Sequence, residues 1–189
     1  IKKFINKYNK KINLKLVSYN TNRGKGYALK KGVAKAKYQW IITTDIDLSV
    51  KLEQLKIWIK KKLISHKTQV YFGSRLLKRS IVDAKRNRKI IGFIFNVFLR
   101  LILNSEILII KDTQCGFKLY KSKIAKKIFK EIHDNGFVHD VEVVLIATKY
   151  GYEIKELPVK WIHKNNSKLN LFKDPLAMFL KLINLKLRY

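Results

Sequence analysis

The chain is poor in several things that proteins often rely on. Among its 189 residues there is one cysteine, Cys115, so no internal disulfide can form. That fits a reducing compartment, and the lone thiol reads as a small buried residue rather than a nucleophile. There are two prolines, Pro158 and Pro175, and no Pro-rich linker or low-complexity domain boundary. Acidic residues number 13 against 42 basic ones, a net charge of +29. Such an imbalance points to an anionic partner: nucleic acid, an anionic membrane surface or a phosphorylated substrate. No stretch has the charge-free length of a transmembrane helix. The nearest, Ile90 to Leu103, is interrupted by Arg100 and followed by Asn104 and Glu106. The histidines, His66, His133, His139 and His163, are scattered without zinc spacing. The opening residues do not read as a signal peptide.

What is present argues for one packed domain. The hydrophobic fraction is 47% and aromatics make up 12%. Leu14–Tyr19, Gln39–Thr44 and Gln69–Ser74 read as strands. Ile1–Lys11 and Gly26–Lys37 read as helices, the second with Ala28, Leu29, Val33 and Ala36 at helical spacing. Ser49 can cap a further helix, with Leu52, Leu55, Ile59 and Leu63 on its buried face. Helices alternating with strands predict an α/β domain with a mostly parallel sheet. Lys89–Asn104 is apolar except for one stripe, Lys89, Gly92, Asn96, Arg100 and Asn104. Such a helix is either deeply buried or lies in a membrane interface. Asp174–Tyr189 predicts a basic amphipathic helix with Asp174 as cap and Pro175 in the first turn. Lys181, Asn184 and Arg188 share one face, and Leu176, Phe179, Leu180, Ile183 and Leu187 the other.

The chemistry concentrates at Asp45 and Asp47, one residue apart where an apolar run stops. Residues two apart on a strand point the same way. Two carboxylates so placed repel unless a cation joins them. Hard divalent ions such as Mg²⁺ or Mn²⁺ take oxygen ligands and often complete their shell with substrate phosphates. Asn22-Arg23-Gly24-Lys25-Gly26 precedes a helix, where glycines would let backbone N–H groups approach a phosphate. It lacks P-loop and dinucleotide spacing, and a plain strand-to-helix turn explains it better. Arg75, and Arg86 and Arg88 a short distance on, have the planar fork that suits phosphate. Asp112-Thr113-Gln114-Cys115-Gly116-Phe117-Lys118 is a polar loop of the kind that builds sites. Asp140 and Glu142 stand two apart at a helix start, as base, orienting group or plain helix-start acids.

Taken in order, these segments resemble the inverting family-2 glycosyltransferases of GT-A fold. The closest likeness is to dolichyl-phosphate β-glucosyltransferases, with dolichyl-phosphate mannose synthases as relatives. Besides the segments above, Glu156-Leu157-Pro158-Val159-Lys160-Trp161, Ser167-Lys168-Leu169 and Leu187-Arg188-Tyr189 carry the likeness, and the Asp112–Lys118 string is its most specific part. The family's opening motifs, a Pro-x-Tyr-Asn-Glu strand end and an Asp-Asp-Gly-Ser that holds the nucleotide, are not in this chain. The resemblance therefore implies a fragment lacking its first βαβ portion.

The resemblance implies a GT-A domain over residues 1–166 that includes the interface helix, and a C-terminal basic amphipathic helix over 167–189. It implies a nucleotide sugar donor, UDP-glucose first, with GDP-mannose or UDP-N-acetylglucosamine as alternatives, and a polyprenyl phosphate acceptor. Gly24, Lys25, Asp45 and Asp47 would bind the donor, the two aspartates through Mg²⁺ or Mn²⁺. Arg75 and Arg86, or Arg88 in its place, would hold the acceptor phosphate. Asp140 would lie near the acceptor, and Asp112, Thr113 and Gln114 near the site. The expected place is the cytoplasmic side of a membrane, peripheral or monotopic, on an anionic surface. A nucleic-acid-binding module is the rival from another class. Only the charge supports it, since helix-turn-helix, zinc and RNP-like patterns are missing.

Overall fold

The computed structural model describes residues 13–83, 97, 99–103, 110–163 and 173–189, with the backbone alone over 173–179. The expected helix at Ile1–Lys11, Arg86, Arg88, most of Lys89–Asn104 and the Ser167-Lys168-Leu169 segment lie outside these residues.

The chain runs α1 (Lys25–Lys35), β1 (Trp40–Thr43), α2 (Glu53–Lys60), β2 (Val70–Ser74), β3 (Ile81–Asp83), β4 (Lys118–Lys121), α3 (Ser122–Glu131), α4 (His139–Lys149), β5 (Ile154–Pro158), β6 (Lys160–Ile162) and α5 (Lys173–Arg188). The main sheet has the order β1-β4-β2-β5, and β3 and β6 form a separate parallel pair. β4 is antiparallel to both β1 and β2, and β2 and β5 are parallel. Three of the four strands therefore share a direction, as expected, and β4 alone is reversed. Helices and further apolar side chains cover both faces, so the strands read as nearly continuous apolar runs. One face puts Val70, Phe72 and Tyr120 against α1, α3, α4 and α5. The other puts Tyr71, Phe117, Leu119 and Leu157 against Trp58 and Trp161.

Several local expectations need correction. Residues 14–19 are not a strand. A strand needs a neighbour to take up its backbone groups, and β1 is laddered only to β4 among the described residues. Leu16, Val17 and Tyr19 are exposed, and Tyr19 instead meets the Tyr27 ring edge-on at 5.0 Å. Ser49 does not cap α2. It is buried ahead of the helix, whose N-cap is Leu52. The buried face of α2 is Gln54 and Trp58, while Leu52 and Ile59 are exposed. Hydrogen bonds decide this face. Trp58 Nε1–H and Gln54 Nε2–H both donate to the Pro158 carbonyl, and Gln54 Oε1 accepts from Lys160 N–H. In α1, Ala28 is exposed and the inner face is Gly26, Leu29 and Val33.

The apolar segment before residue 104 is described only at its end. There Leu99 and Leu103 enter the core, while Val97 and Leu101 are exposed. Helix α5 is likewise two-sided. Leu182 and Leu185 are buried, whereas Leu180, Ile183 and Leu187 face outward. Of the predicted outer stripe, Leu180, Ile183 and Leu187 are exposed as expected, and a second apolar pair, Leu182 and Leu185, docks the helix on the core.

Candidate active site

Asp45 and Asp47 do not sit on a strand end. β1 stops at Thr43, and the pair lies in a turn closed by Leu48 N–H donating to the Asp45 carbonyl. Leu48 takes a positive φ of 51° to make that turn. Strand alternation is therefore not what brings the carboxylates together. Asp47 is exposed, and its Oδ1 accepts from Ser49 N–H. Asp45 is half-buried, and its Oδ1 is 2.8 Å from Lys25 Nζ. Beneath it lies Gly116: a Cβ there would stand 2.3–2.4 Å from the Asp45 carboxylate. The Asp112–Lys118 loop thus supplies the floor on which Asp45 rests.

Lys25 also faces Asp140, 3.5 Å away. Asp140 opens α4 and is buried, and its Oδ1 accepts from Lys118 Nζ at 2.5 Å. Lys118 is only 1% exposed. Strand alternation in β4 turns it with Tyr120 toward the α4 side of the sheet, while Phe117 and Leu119 face the other way. Its ammonium also donates to the Cys115 carbonyl and lies over the Phe72 ring. Burial alone would push the Asp140 carboxyl up. The Lys118 and Lys25 ammonium groups outweigh it and hold Asp140 well below the usual carboxylate range. Such a group is a permanent anion and a poor proton acceptor. Burial likewise works against the charge on Lys25, but Asp140 and Asp45 keep its ammonium protonated.

His139 is buried beside this cluster. Its Nδ1 lies 2.6 Å from the Gly136 carbonyl, which can only accept, so Nδ1 carries the proton. Burial pushes the imidazole pKa down further than Asp140 raises it, and the lysines add to the lowering, so the ring stays neutral.

The glycines of the Asn22–Gly26 segment answer to the protein itself. Gly24 has φ +92°, and a Cβ there would meet the Asn135 carbonyl oxygen at 2.2 Å. A Cβ on Gly26 would meet that of Asp134 at 2.5 Å. Close backbone packing, with Tyr27 N–H donating to the Asn135 carbonyl, fixes the turn that carries Lys25.

Arg75 forms a second cluster at the end of β2. Its Nε and Nη2 donate to Asp112 Oδ2 and Oδ1, each at 2.8 Å, and its own amide donates to Oδ2. Asp112 is buried and held charged, burial opposing and Arg75 prevailing. Glu156 on β5 accepts from the amides of Lys111 and Asp112, which ties the loop to the sheet. Thr113 is buried beside it, and its Oγ1 accepts from Gln114 Nε2. Arg75 is thus held against Asp112 before any phosphate arrives, though Asp45 is near enough to act on its charge.

The structure therefore brings Lys25, Asp45 and Asp140 together, with Arg75 and Asp112 across the Cys115–Gly116 turn. Asp140 and Glu142 point apart, as residues two apart on a helix must. Glu142 turns away from the site and accepts from the amides of His133 and Asp134. Sequence reasoning gave no role to Lys118, Gly116, His139 or Glu156. A lysine within Gly116-Phe117-Lys118-Leu119-Tyr120 was the available signal.

No group of three metal-ligating side chains occurs among the described residues. The Asp45–Asp47 turn instead offers two hard oxygen donors at the surface, leaving a shell to be finished by phosphate and water. That donor set fits Mg²⁺ or Mn²⁺. An open pocket of about 340 Å³ beside it is lined by Asp47, Leu48, Lys51, Leu52 and Glu53. A larger one, about 410 Å³, lined by Trp40, Ile59, Lys62, Ile64, Ser65 and His66, holds none of these site residues.

The model of glycosyl transferase family 2 matches residues 1–129. The chain belongs to that family. This family-2 chain is 31% identical over 185 residues to the dolichyl-phosphate beta-glucosyltransferase of Dictyostelium discoideum, covering 94% of the chain and 55% of the relative. It is 31% identical over 192 residues to that of Saccharomyces cerevisiae, with 93% and 55% covered, and 30% identical over 190 residues to that of Homo sapiens, also 93% and 55%. It thus spans about half the length of these relatives. Among solved structures it is similar to glucosyl-3-phosphoglycerate synthase from Mycobacterium tuberculosis. The UDP complex superposes with a TM-score of 0.57 at 13% identity, covering 89% of this chain and 57% of that one. The phosphoglyceric acid complex gives 0.60 at 12%, covering 88% and 57%. At such identities the likeness shows the GT-A fold alone.

Proposed function

We propose that this family-2 chain takes part in transferring glucose from UDP-glucose to a dolichyl-type polyprenyl phosphate, with inversion at C1, on the cytoplasmic face of a membrane. The observation that carries the reading is the convergence of the surface turn Asp45–Asp47 with Lys25 and the buried Asp140–Lys118 pair. Similarity to dolichyl-phosphate beta-glucosyltransferases over most of the chain supports the acceptor and the sugar.

Asp45 and Asp47 would hold Mg²⁺ or Mn²⁺, which supplies charge neutralisation for the departing diphosphate. Lys25, kept protonated and aimed by Asp140, adds a second positive charge beside the same oxygens. Gly24 and the first amides of α1 shape the donor side. On the acceptor side, Arg75 and one of Arg86 or Arg88 would hold the lipid phosphate, with Asp112, Thr113 and Gln114 setting Arg75. An acceptor phosphate oxygen forms the new bond to C1 as the C1–oxygen bond to UDP breaks. That oxygen is already anionic at neutral pH, so no base need remove a proton. Asp140 fits an orienting role rather than that of a base.

The exposed stripe Leu180, Ile183 and Leu187, flanked by Lys186 and Arg188, supports seating on an anionic membrane surface. The test is transfer of labelled glucose from UDP-glucose into organic-extractable lipid, with GDP-mannose and UDP-N-acetylglucosamine as competing donors. Asp47→Ala is expected to abolish transfer. Undiminished turnover in that variant would refute the metal role, and preference for another donor would reassign the sugar.

A further inference from the structure

Helix α5 does more than offer a surface. On its inner side it is tied once to the loop 133–136 and once to Glu142 of α4. Lys181 Nζ is 2.7 Å from Asp134 Oδ1, and Asp134 Oδ2 accepts from His139 N–H at the start of α4. Tyr189 O–H donates to Glu142 Oε1, and its ring also lies near Lys149, two turns further along α4. Glu142 is fully buried, and its carboxylate accepts the amides of His133 and Asp134. Both ties therefore end on carboxylates that set the backbone of one loop. That loop is the surface against which Gly24 and Gly26 pack without a Cβ, and its Asn135 carbonyl accepts Tyr27 N–H. Between those glycines stands Lys25. A continuous chain of contacts thus runs from α5 through Asp134, Glu142 and Asn135 to the turn that places an ammonium on Asp45.

The outer side of α5 is of opposite character. Leu180, Ile183 and Leu187 are 55%, 37% and 82% exposed, at the i, i+3, i+7 spacing of one helical face. Lys186 and Arg188 border it. The apolar stripe with a cationic border matches an anionic bilayer surface.

We propose that Lys181 and Tyr189 are positioning residues, and that seating the outer face of α5 on an anionic bilayer tightens the loop 133–136 and with it the Lys25 turn. The coupling rests on the membrane reading given above. It makes the donor side of the site responsive to whether the acceptor's bilayer is present.

Hydrogen exchange at the Tyr27 amide reads this in the full chain. Lys181→Ala and Tyr189→Phe alter exposed or half-exposed side chains, and each is expected to speed that exchange about three- to fivefold with an unchanged melting curve. Phosphatidylcholine vesicles doped with phosphatidylserine are expected to slow it in the parent chain. The same vesicles should have no effect on the double variant Ile183→Ser, Leu187→Ser, whose exchange without vesicles stays as in the parent. If Tyr27 exchange is the same in Lys181→Ala, Tyr189→Phe and the parent, the inner ties do not set the turn and the inference falls. If the chain sediments with vesicles while Tyr27 exchange stays unmoved, the membrane reading stands and the coupling falls. If the chain does not sediment with vesicles, both fall.

Discussion

The Cα of Gly116 lies directly against the carboxylate of Asp45, so that a single added methyl would stand 2.3 Å from Oδ2. Two segments 71 residues apart in the chain are joined at this point, and the floor exists only because residue 116 has no side chain. Gly116→Ala must therefore push Asp45 aside. The obstructing atoms are the far end of a side chain, so the fold can yield. We expect a melting curve close to that of the parent and glucosyl transfer lower by on the order of 100-fold, as small misplacements of a positioning group cost. Mn²⁺ titration followed by electron paramagnetic resonance should show weakened binding. Unchanged Mn²⁺ affinity would mean that Asp45 does not need its floor.

Lys118 and Asp140 form a buried pair, and removing Lys118 leaves the buried carboxylate to the more distant Lys25. Lys118→Met is expected to destabilise the chain by about 3–5 kcal/mol in urea denaturation. Adding Asp140→Leu should return much of that loss, because the stranded carboxylate is gone. A double variant as unstable as the single one would show that packing, not charge, sets the cost.

The same cluster predicts the acid side of the stability profile. His139 has its pKa lowered by burial, so it takes up a proton only on unfolding. Acid therefore favours the unfolded chain once pH falls below the free imidazole value of about 6.5. Asp140 is depressed in the native state. Its contribution is present above about 3.9 and is lost as pH falls further toward its native value. The urea midpoint should be flat between about pH 7 and 8 and decline below about 6.5. His139→Gln should postpone the decline to the carboxylate range. A midpoint that stays level from pH 7 down to about 5 in the parent chain would contradict this.

Cys115 is buried and its thiol is pushed up to about 11, chiefly by burial. Iodoacetamide at about pH 8 should leave the native chain unlabelled and label it fully in denaturant, read by mass spectrometry. Rapid labelling of the folded chain would place this residue at an opening rather than in the core.

The sequence announced the site better than it explained it. Asp45, Lys25 and Arg75 stand out because charge and glycine interrupt apolar runs. Strand alternation does not bring the aspartates together; a turn with a left-handed Leu48 does. Glycines 24 and 26 suggested room for a phosphate, and the structure shows them packed against the backbone of residues 134–135. Such contacts join distant segments, and no local pattern encodes them. The face of α2 failed for a similar reason. Apolar spacing favoured Leu52 and Ile59, but one carbonyl on β5 draws in Trp58 and Gln54. Lys118 was passed over because a buried lysine is rare until its partner is known.

The acidic side chains carry one further consequence. At least nine of the 13 are engaged within the described fold: Asp45, Asp47, Asp112, Glu131, Asp134, Asp140, Glu142, Glu153 and Glu156. These carboxylates are occupied with amides, hydroxyls, lysines and an arginine, and 42 basic residues outnumber the 13 acidic ones. The outside is then close to a single-signed polycation. Molecules of this chain should repel one another at low ionic strength, stay dispersed without detergent-like helpers, elute late from a cation exchanger, and carry polyanionic contaminants unless salt strips them away.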